Sequence, residues 1–197
     1  VDIAVVTAWN SDYQVVADVT VPVWQRYCDH RGYCLHAQCI NDDRNSVWAK
    51  FKVLREQLPC YDAILQVEAD TLPMDFDIKV EYLANCTTAS LIFTTDVNGF
   101  HGGVQFWRNT DWAKQFLEKH WHHGVHFGWA NQEQVSQAML LYKEPKCEWL
   151  AVPQKIMNSF AGGDYGPDAT FQKTDFIAHV VGHTKEDKAN ILRSLLA

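Results

Sequence analysis

Ala63-Ile64-Leu65-Gln66-Val67-Glu68-Ala69-Asp70-Thr71-Leu72-Pro73 is the stretch from which the fold is read. A short apolar run ends in two carboxylates two residues apart, and a proline then stops the strand. In extended backbone, side chains at i and i+2 leave the same face, so Glu68 and Asp70 face one ligand. Hard oxygen donors at the end of a buried strand suit Mg²⁺ or Mn²⁺ carrying a phosphate-bearing substrate. The competing reading is a strand end with two solvated acids.

Outward from this strand the pattern repeats. Ile3-Ala4-Val5-Val6-Thr7-Ala8 reads as a buried first strand. Ser11-Asp12 offers an N-cap for a helix to about His30, stopped at Gly32 and interrupted or kinked at Pro22. Tyr33 to Cys39 alternates as a second strand. Ser46 to Leu58 puts Val47, Phe51, Leu54 and Leu58 on one helical face, closed by Pro59. This β-α-β-α-β order predicts an α/β fold, a mixed and mostly parallel sheet flanked by helices, with ligands at the carboxyl ends of strands. Thr7-Ala8-Trp9 and Glu68-Ala69-Asp70 both fall at such ends. Residues 1–197 read as a single domain, with 1–75 a nucleotide-binding half and 76–197 the second half.

In that second half the sequence predicts a helix near Asp77 to Leu83, a strand at Ser90 to Thr95, a turn from Asn98 to Gly103 and a strand Val104 to Trp107. Gly102 and Gly103 mark either a close approach of backbone to a ligand or a bulge. Helices from Thr110 to about His122 and from Asn131 to Tyr142 precede an irregular stretch, Pro145 to Tyr165, which holds Asn158. A last apolar strand, Phe176 to Val181, leads to Thr184-Lys185-Glu186-Asp187, a capping box opening the final helix.

The composition, 47% apolar and 21% charged over 197 residues, fits one globular domain with a real core. A net charge of -7 argues against a nucleic-acid groove. No apolar run reaches the ~18 residues of a membrane helix. The expectation is a soluble chain, either cytoplasmic or a trimmed lumenal catalytic domain. Six cysteines without a C-x-x-C pair read as small, buried, reduced side chains.

Several landmarks stand in order along the chain. They are Trp48-Ala49-Lys50, Glu68-Ala69-Asp70-Thr71-Leu72, Gly103-Val104-Gln105-Phe106-Trp107-Arg108-Asn109-Thr110-Asp111-Trp112, Gln132-Glu133-Gln134, and Asp175-Phe176-Ile177-Ala178-His179-Val180-Val181-Gly182. They resemble the W-A-K, D-x-D, G-x-F-L-x-R-N-x-x-W, E/D-Q and D-F-x-x-H-x-x-G segments of one family of retaining, GT-A type nucleotide-sugar glycosyltransferases. That family holds the galactomannan galactosyltransferases, xyloglucan xylosyltransferases and yeast α-mannosyltransferases. His179-x-x-Gly182-x-x-Lys185 is also similar to the ending of the glycogenin-like and lipopolysaccharide-galactosyltransferase family.

The resemblance implies a Rossmann-like GT-A domain that moves a sugar, with retention, from a nucleoside diphosphate donor (a UDP-sugar foremost) to a saccharide acceptor. It implies Mn²⁺ or Mg²⁺, held by Asp70 and His179. Glu68 is either a further ligand or a partner of ribose or metal-bound water, because the family's first acid is Asp and the extra methylene moves the carboxylate by ~1.5 Å. Gly182 and Lys185 would meet the diphosphate, with Thr7, Ala8, Trp9, Lys50 and Ala69 on the nucleotide side. Gln134 takes the position beside the anomeric carbon, and Glu133 one that orients donor or acceptor hydroxyls. A neutral amide at Gln134 speaks for front-face displacement and against the covalent intermediate of two-carboxylate hydrolases. Gly102, Gly103, Asn158 and Asp175 fall with the donor sugar and acceptor, which makes 76–197 an acceptor and donor-sugar half with a metal-binding C-terminal strand.

Two other classes compete: a metal-dependent phosphoester hydrolase using the same donors, and a catalytically silent nucleotide- or sugar-binding domain. The run His120 to His126 reads as a surface or acceptor-side loop in preference to a zinc site on His122 and His126. Asp42, Asp43 and Arg44 are either nucleotide contacts or a solvated turn.

Overall fold

Strands whose apolar residues alternate between two faces build a central sheet that is buried on both sides. The computed structural model describes residues 1–41, 44–123 and 132–197; Asp42, Asp43 and His126, considered above, lie outside the described residues. The first strand, Ile3–Trp9 (β1), sends Ile3 and Val5 to one face and Ala4 and Val6 to the other. Cys34–Cys39 (β2) and Ala63–Val67 (β3) flank it in parallel. Thr71–Pro73 (β4) leaves that sheet, while Leu91–Asp96 (β5), Gly99–Arg108 (β6) and Trp149–Val152 (β7) complete it in the order β2-β1-β3-β6-β5-β7. Only β6 runs against its neighbours, so the sheet is mixed and mostly parallel.

Helices cover both faces. Gln14–Arg31 (α1) brings Trp24 and Tyr27, and Glu81–Cys86 (α3) brings Leu83, to one side. Ala49–Gln57 (α2), Asp111–His123 (α4) and Gln132–Leu141 (α5) bring Phe51, Leu54, Phe116 and Leu141 to the other. A small second sheet pairs β4 with Ile177–Val180 (β9), which pairs in turn with Ser159–Ala161 (β8). Lys185–Leu195 (α6) packs Leu192 into the cluster formed by Val16, Leu72 and Val180. Thr184 caps this helix, its hydroxyl accepting from Asp187 N at 3.2 Å.

Ser11-Asp12 stand in a short 3-10 turn and give α1 no side-chain cap, and α3 lies a few residues later than the expected Asp77 to Leu83. Four other details depart from the sequence reading. First, α1 runs through Pro22 as one element, because Pro22 and the carbonyl-bearing Asp18 four residues earlier both lie on the solvent side. Second, the turn between β5 and β6 is Val97-Asn98, and Gly102 and Gly103 sit inside β6 opposite a register shift between Phe93 and Thr94. Third, the stretch read as irregular holds β7 and β8. Fourth, all six cysteines are free, yet only Cys28 is buried, since the other five stand on the edge strand β2 or at element ends and turns. Among the described residues no helix is long and apolar enough to cross a membrane.

The acidic segment after β3 is held by its own carbonyls. Glu68 O accepts from the Thr71 hydroxyl, Ala69 O from the Thr20 hydroxyl, Asp70 O from Val180 N, and Thr71 O from the Trp24 indole, at 2.6–3.0 Å. Thr20 and Trp24 lie four apart on one face of α1, so a single helix holds two of these four points. Trp24→Phe keeps most of the ring but strands the Thr71 carbonyl without its donor. The expected cost is about 1–3 kcal/mol, read by urea unfolding.

Candidate active site

The ladder between β4 and β9 sets the site. Thr71 stands opposite His179, and Val180 N donates to Asp70 O at 3.0 Å, which draws Asp70 alongside His179. On the other flank Glu68 N donates to Gly103 O at 2.9 Å, fixing Glu68 at the end of β3. The His179 Nε2 atom lies 3.2 Å from Asp70 Oδ1 and 3.4 Å from Glu68 Oε2. One ligand atom from each of the three falls within 4.8 Å of the others, the only such group of three or more His, Cys, Asp or Glu among the described residues. The longer arm of Glu68 therefore does not remove it from the cluster.

Charges are balanced here by close pairing. Glu68 receives the Lys50 ammonium, which also lies 3.3 Å from Glu133 Oε1. Asp70 receives Lys188, and the Tyr13 hydroxyl donates to it at 3.1 Å. Burial pushes both carboxyls up. Lys50 with His179 at Glu68, and His179 with Lys188 at Asp70, outweigh that effect and hold both below the usual range. Burial likewise lowers His179, but the Asp70 and Glu68 carboxylates overcome it and raise the imidazole to about 9. Lys50 and Lys188 are raised by the same carboxylates against the effect of burial. Without a metal, Glu68, Asp70 and Glu133 are matched by Lys50, Lys188 and an imidazolium.

Beside this cluster a cleft of about 240 Å³ opens between Trp9, Tyr13, Val47, Glu68, Asp70 and Lys188. Ala8, Lys50 and Ala69 also line it, so four of the five residues expected on the nucleotide side reach it. Thr7 does not, being buried one residue further back on β1. Gly182 adopts left-handed backbone, φ 74°, between β9 and α6. Lys185 turns to Asp12 at 3.5 Å, and Lys188, one turn on, reaches the acids. Gln134 Oε1 accepts from Gly102 N at 2.9 Å, which joins α5 to β6. Glu133 is buried, and its Oε2 has no hydrogen-bond partner among the described residues. Asn158 meets His179 directly, at 2.9 Å. Asp175 is not brought to the cluster: it accepts from Lys155 and Gln172 N.

Of the described histidines of the His-rich run, only His120 is buried. Buried His120 bonds Glu133 O through Nε2 at 2.8 Å and lies against Trp48 and Phe51; burial holds its pKa down to about 3. His123 bonds the Ser136 hydroxyl, and His122 is exposed beside Glu118. Arg44 is sandwiched between the Trp48 and Trp121 rings, its Cζ 4.0 and 3.9 Å from their centroids.

Three residues of the site escaped the sequence reading: Lys188, Tyr13 and Thr94. Lys188 had a signal, since it follows Lys185 by three residues and so shares its helical face. The other two had none, because their roles depend on how distant elements dock. His101 stands, with Gly102 and Gly103, where members of the resembled family carry Asn-x-Gly, and it lies beside His179 with ring centroids 5.4 Å apart.

The sequence profile of the galactosyl transferase GMA12/MNN10 family matches residues 60–190, the span from the approach to β3 into α6. Among solved structures, a glycosyltransferase involved in the glycosylation of the major capsid of PBCV-1 superposes with a TM-score of 0.80 at 11% identity, over 98% of this chain and 100% of its own. The glycosyltransferase GlyE of Streptococcus pneumoniae TIGR4 gives 0.60 at 15% identity, over 99% of this chain and 63% of its own. A variant of Drosophila β1,4-galactosyltransferase 7, in complex with manganese, UDP-Gal and xylobiose, gives 0.54 at 13% identity, over 95% and 74%. At these identities the likeness is one of fold. No curated protein matches the sequence at a significant level. Taken with the α/β architecture and the profile match across the acidic strand and β9, the chain belongs to the galactosyl transferase GMA12/MNN10 family and is a glycosyltransferase of GT-A fold.

Proposed function

We propose that this glycosyltransferase moves a sugar, with retention, from a nucleoside diphosphate donor, a UDP-sugar foremost, to a saccharide acceptor. It does so with Mn²⁺ or Mg²⁺ held by Glu68, Asp70 and His179. The observation that carries this reading is the convergence of two carboxylates and one imidazole nitrogen within 4.8 Å beside the cleft. The donor set fits the group, since carboxylate oxygen with imidazole suits Mn²⁺. Bound there, the cation would supply Lewis-acid stabilisation of charge on the departing diphosphate.

The chain's own residues have separable tasks in this reading. Lys188 balances Asp70 at the cleft wall, and the start of α6, preceded by left-handed Gly182, is the helix end assigned to the diphosphate. Lys185 adds charge at the same helix end. Gln134, anchored through Gly102, keeps a neutral amide at the reacting face, which favours front-face displacement over a covalent sugar intermediate. Glu133 is restrained by Lys50 through one oxygen and is the residue assigned to orient a donor or acceptor hydroxyl. The neighbour of like fold crystallised with manganese, UDP-Gal and xylobiose supports these ligand classes.

The test is calorimetric titration with UDP and, separately, GDP, with and without Mn²⁺. The expected result is binding of one nucleotide only when metal is present, and its loss in Asp70→Asn and in His179→Ala while circular dichroism stays unchanged. Absence of binding by the parent under every condition overturns the reading.

A further inference from the structure

We propose that Asn158 and His101 act as positioning residues that decide which nitrogen of His179 is offered to the metal; the inference rests on the metal reading above. Gly103 N–H donates to His101 Nδ1 at 3.2 Å, so that nitrogen is an acceptor. The Asn158 side chain lies 2.7 Å from the same nitrogen, and only its NH₂ group can donate there, sharing the lone pair with Gly103. The second hydrogen of that NH₂ goes to the Thr94 hydroxyl at 3.0 Å. Both amide hydrogens are then used, and the amide oxygen is left facing His179 Nδ1 at 2.9 Å.

An amide oxygen only accepts, so His179 Nδ1 carries a proton. Nε2 is the nitrogen turned toward Glu68 and Asp70. One backbone N–H of β6 thereby sets the orientation of an amide ahead of β8, and the amide sets the imidazole of β9. Thr94, Asn158 and His179 are at most 1% exposed, and His101 is 9% exposed, so no water stands ready to replace a reversed bond. Outer partners of this type hold the ring of a metal-bound histidine and change metal affinity about 10–100-fold when removed. Asn158, expected from the sequence to meet donor sugar or acceptor, is thus assigned to the metal side.

The experiment compares the parent, Asn158→Leu and Asn158→Asp, with Mn²⁺ alone as the probe and free Mn²⁺ read by electron paramagnetic resonance. Asn158→Leu should weaken Mn²⁺ binding about 10–100-fold. Asn158→Asp should stay within about threefold, since a carboxylate oxygen still accepts from Nδ1–H, although the donations to Thr94 and His101 are gone. A merely structural role gives the other ordering, because Asp loses the donations to Thr94 and His101 and adds a buried charge, whereas Leu adds none. Nitrogen-15 spectra of the Zn²⁺-loaded parent give a second readout, independent of how well either variant folds: Nε2 bound with Nδ1 protonated supports the inference, and Nδ1 bound overturns it. A parent that binds Mn²⁺ no better than Asn158→Leu does overturns this inference alone; a parent that binds no Mn²⁺ overturns the metal reading beneath it.

Discussion

Gly103→Ala is expected to remove metal-dependent nucleotide binding, a loss on the order of 100-fold or more, while the sheet stays folded. A Cβ at this position would sit 2.5 Å from His179 Cε1, 2.9 Å from His179 Nδ1 and 2.7 Å from His101 Cε1. Neither ring has room to retreat. Phe160 lies against both, with centroids 5.1 and 5.8 Å away, and Asn158 bonds both. The cost is one of contact, and Gly103 is not among the residues in left-handed backbone. Overpacking of a tight interior costs about 1–3 kcal/mol in stability, which a folded sheet can absorb, whereas misplacing a functional group by about an ångström costs about 100-fold in function. Gly102→Ala is the comparison. Its nearest neighbour would be the end of Gln105 at 3.2 Å, so the crowding is milder than at Gly103 and the loss should be smaller. Thermal unfolding together with titration of nucleotide plus Mn²⁺ measures both. A Gly103→Ala protein that binds as the parent does would refute the packing argument.

The second large effect is with pH, and its two parts have opposite signs. Metal needs a neutral imidazole, and His179 in the metal-free protein is held protonated up to about 9. Mn²⁺ affinity should therefore rise about tenfold per pH unit from pH 6.5 upward, roughly 100-fold by pH 8.5. Glu68 and Asp70 do not contribute in this window, since both are held below their usual range and are already ionised. The metal-free fold behaves in reverse. His179 has a folded pKa raised above its unfolded value, so its stabilisation is complete below about pH 6.5 and fades as pH climbs through 9. The rise from 6.5 to about 9 corresponds to roughly 3 kcal/mol. Urea unfolding of chelator-treated protein across pH 6.5–9, beside Mn²⁺ titrations at the same pH values, reads both. Affinity that does not change with pH would remove His179 from the ligand set.

The parts of this molecule visible in its sequence are those that depend on local order. The apolar runs of β1 and β3, the stop at Gly32 and the cap at Thr184 follow from neighbours within a few residues, and each stands where expected. The pairing of Glu68 and Asp70 on one face needed only the period of a strand. The place of Gly103 did not follow from order. A glycine pair in a strand admits a bulge or a close approach, and Gly103 shows what approaches: the two imidazoles of His101 and His179. Lys188 was missed in favour of Lys185 because the spacing of a motif cannot report how a helix is rotated against its neighbours. That rotation is set by Leu192 and Ala189 packing inward, which carries Lys188 toward Asp70. Asp175 shows the same limit from the other side, since it shares a motif with His179 but serves Lys155 and a backbone N–H.

The ion pair between Asp70 and Lys188 spans 118 residues of sequence. At about 5–20 residues per second of translation, a nascent chain carries Asp70 for on the order of ten seconds before His179 and Lys188 exist. During that interval Lys50 is already made to face Glu68, but the cations that face Asp70 are not. The early half of the chain therefore holds only part of this cluster. On the function proposed above, ligand capture would also report that translation has reached α6.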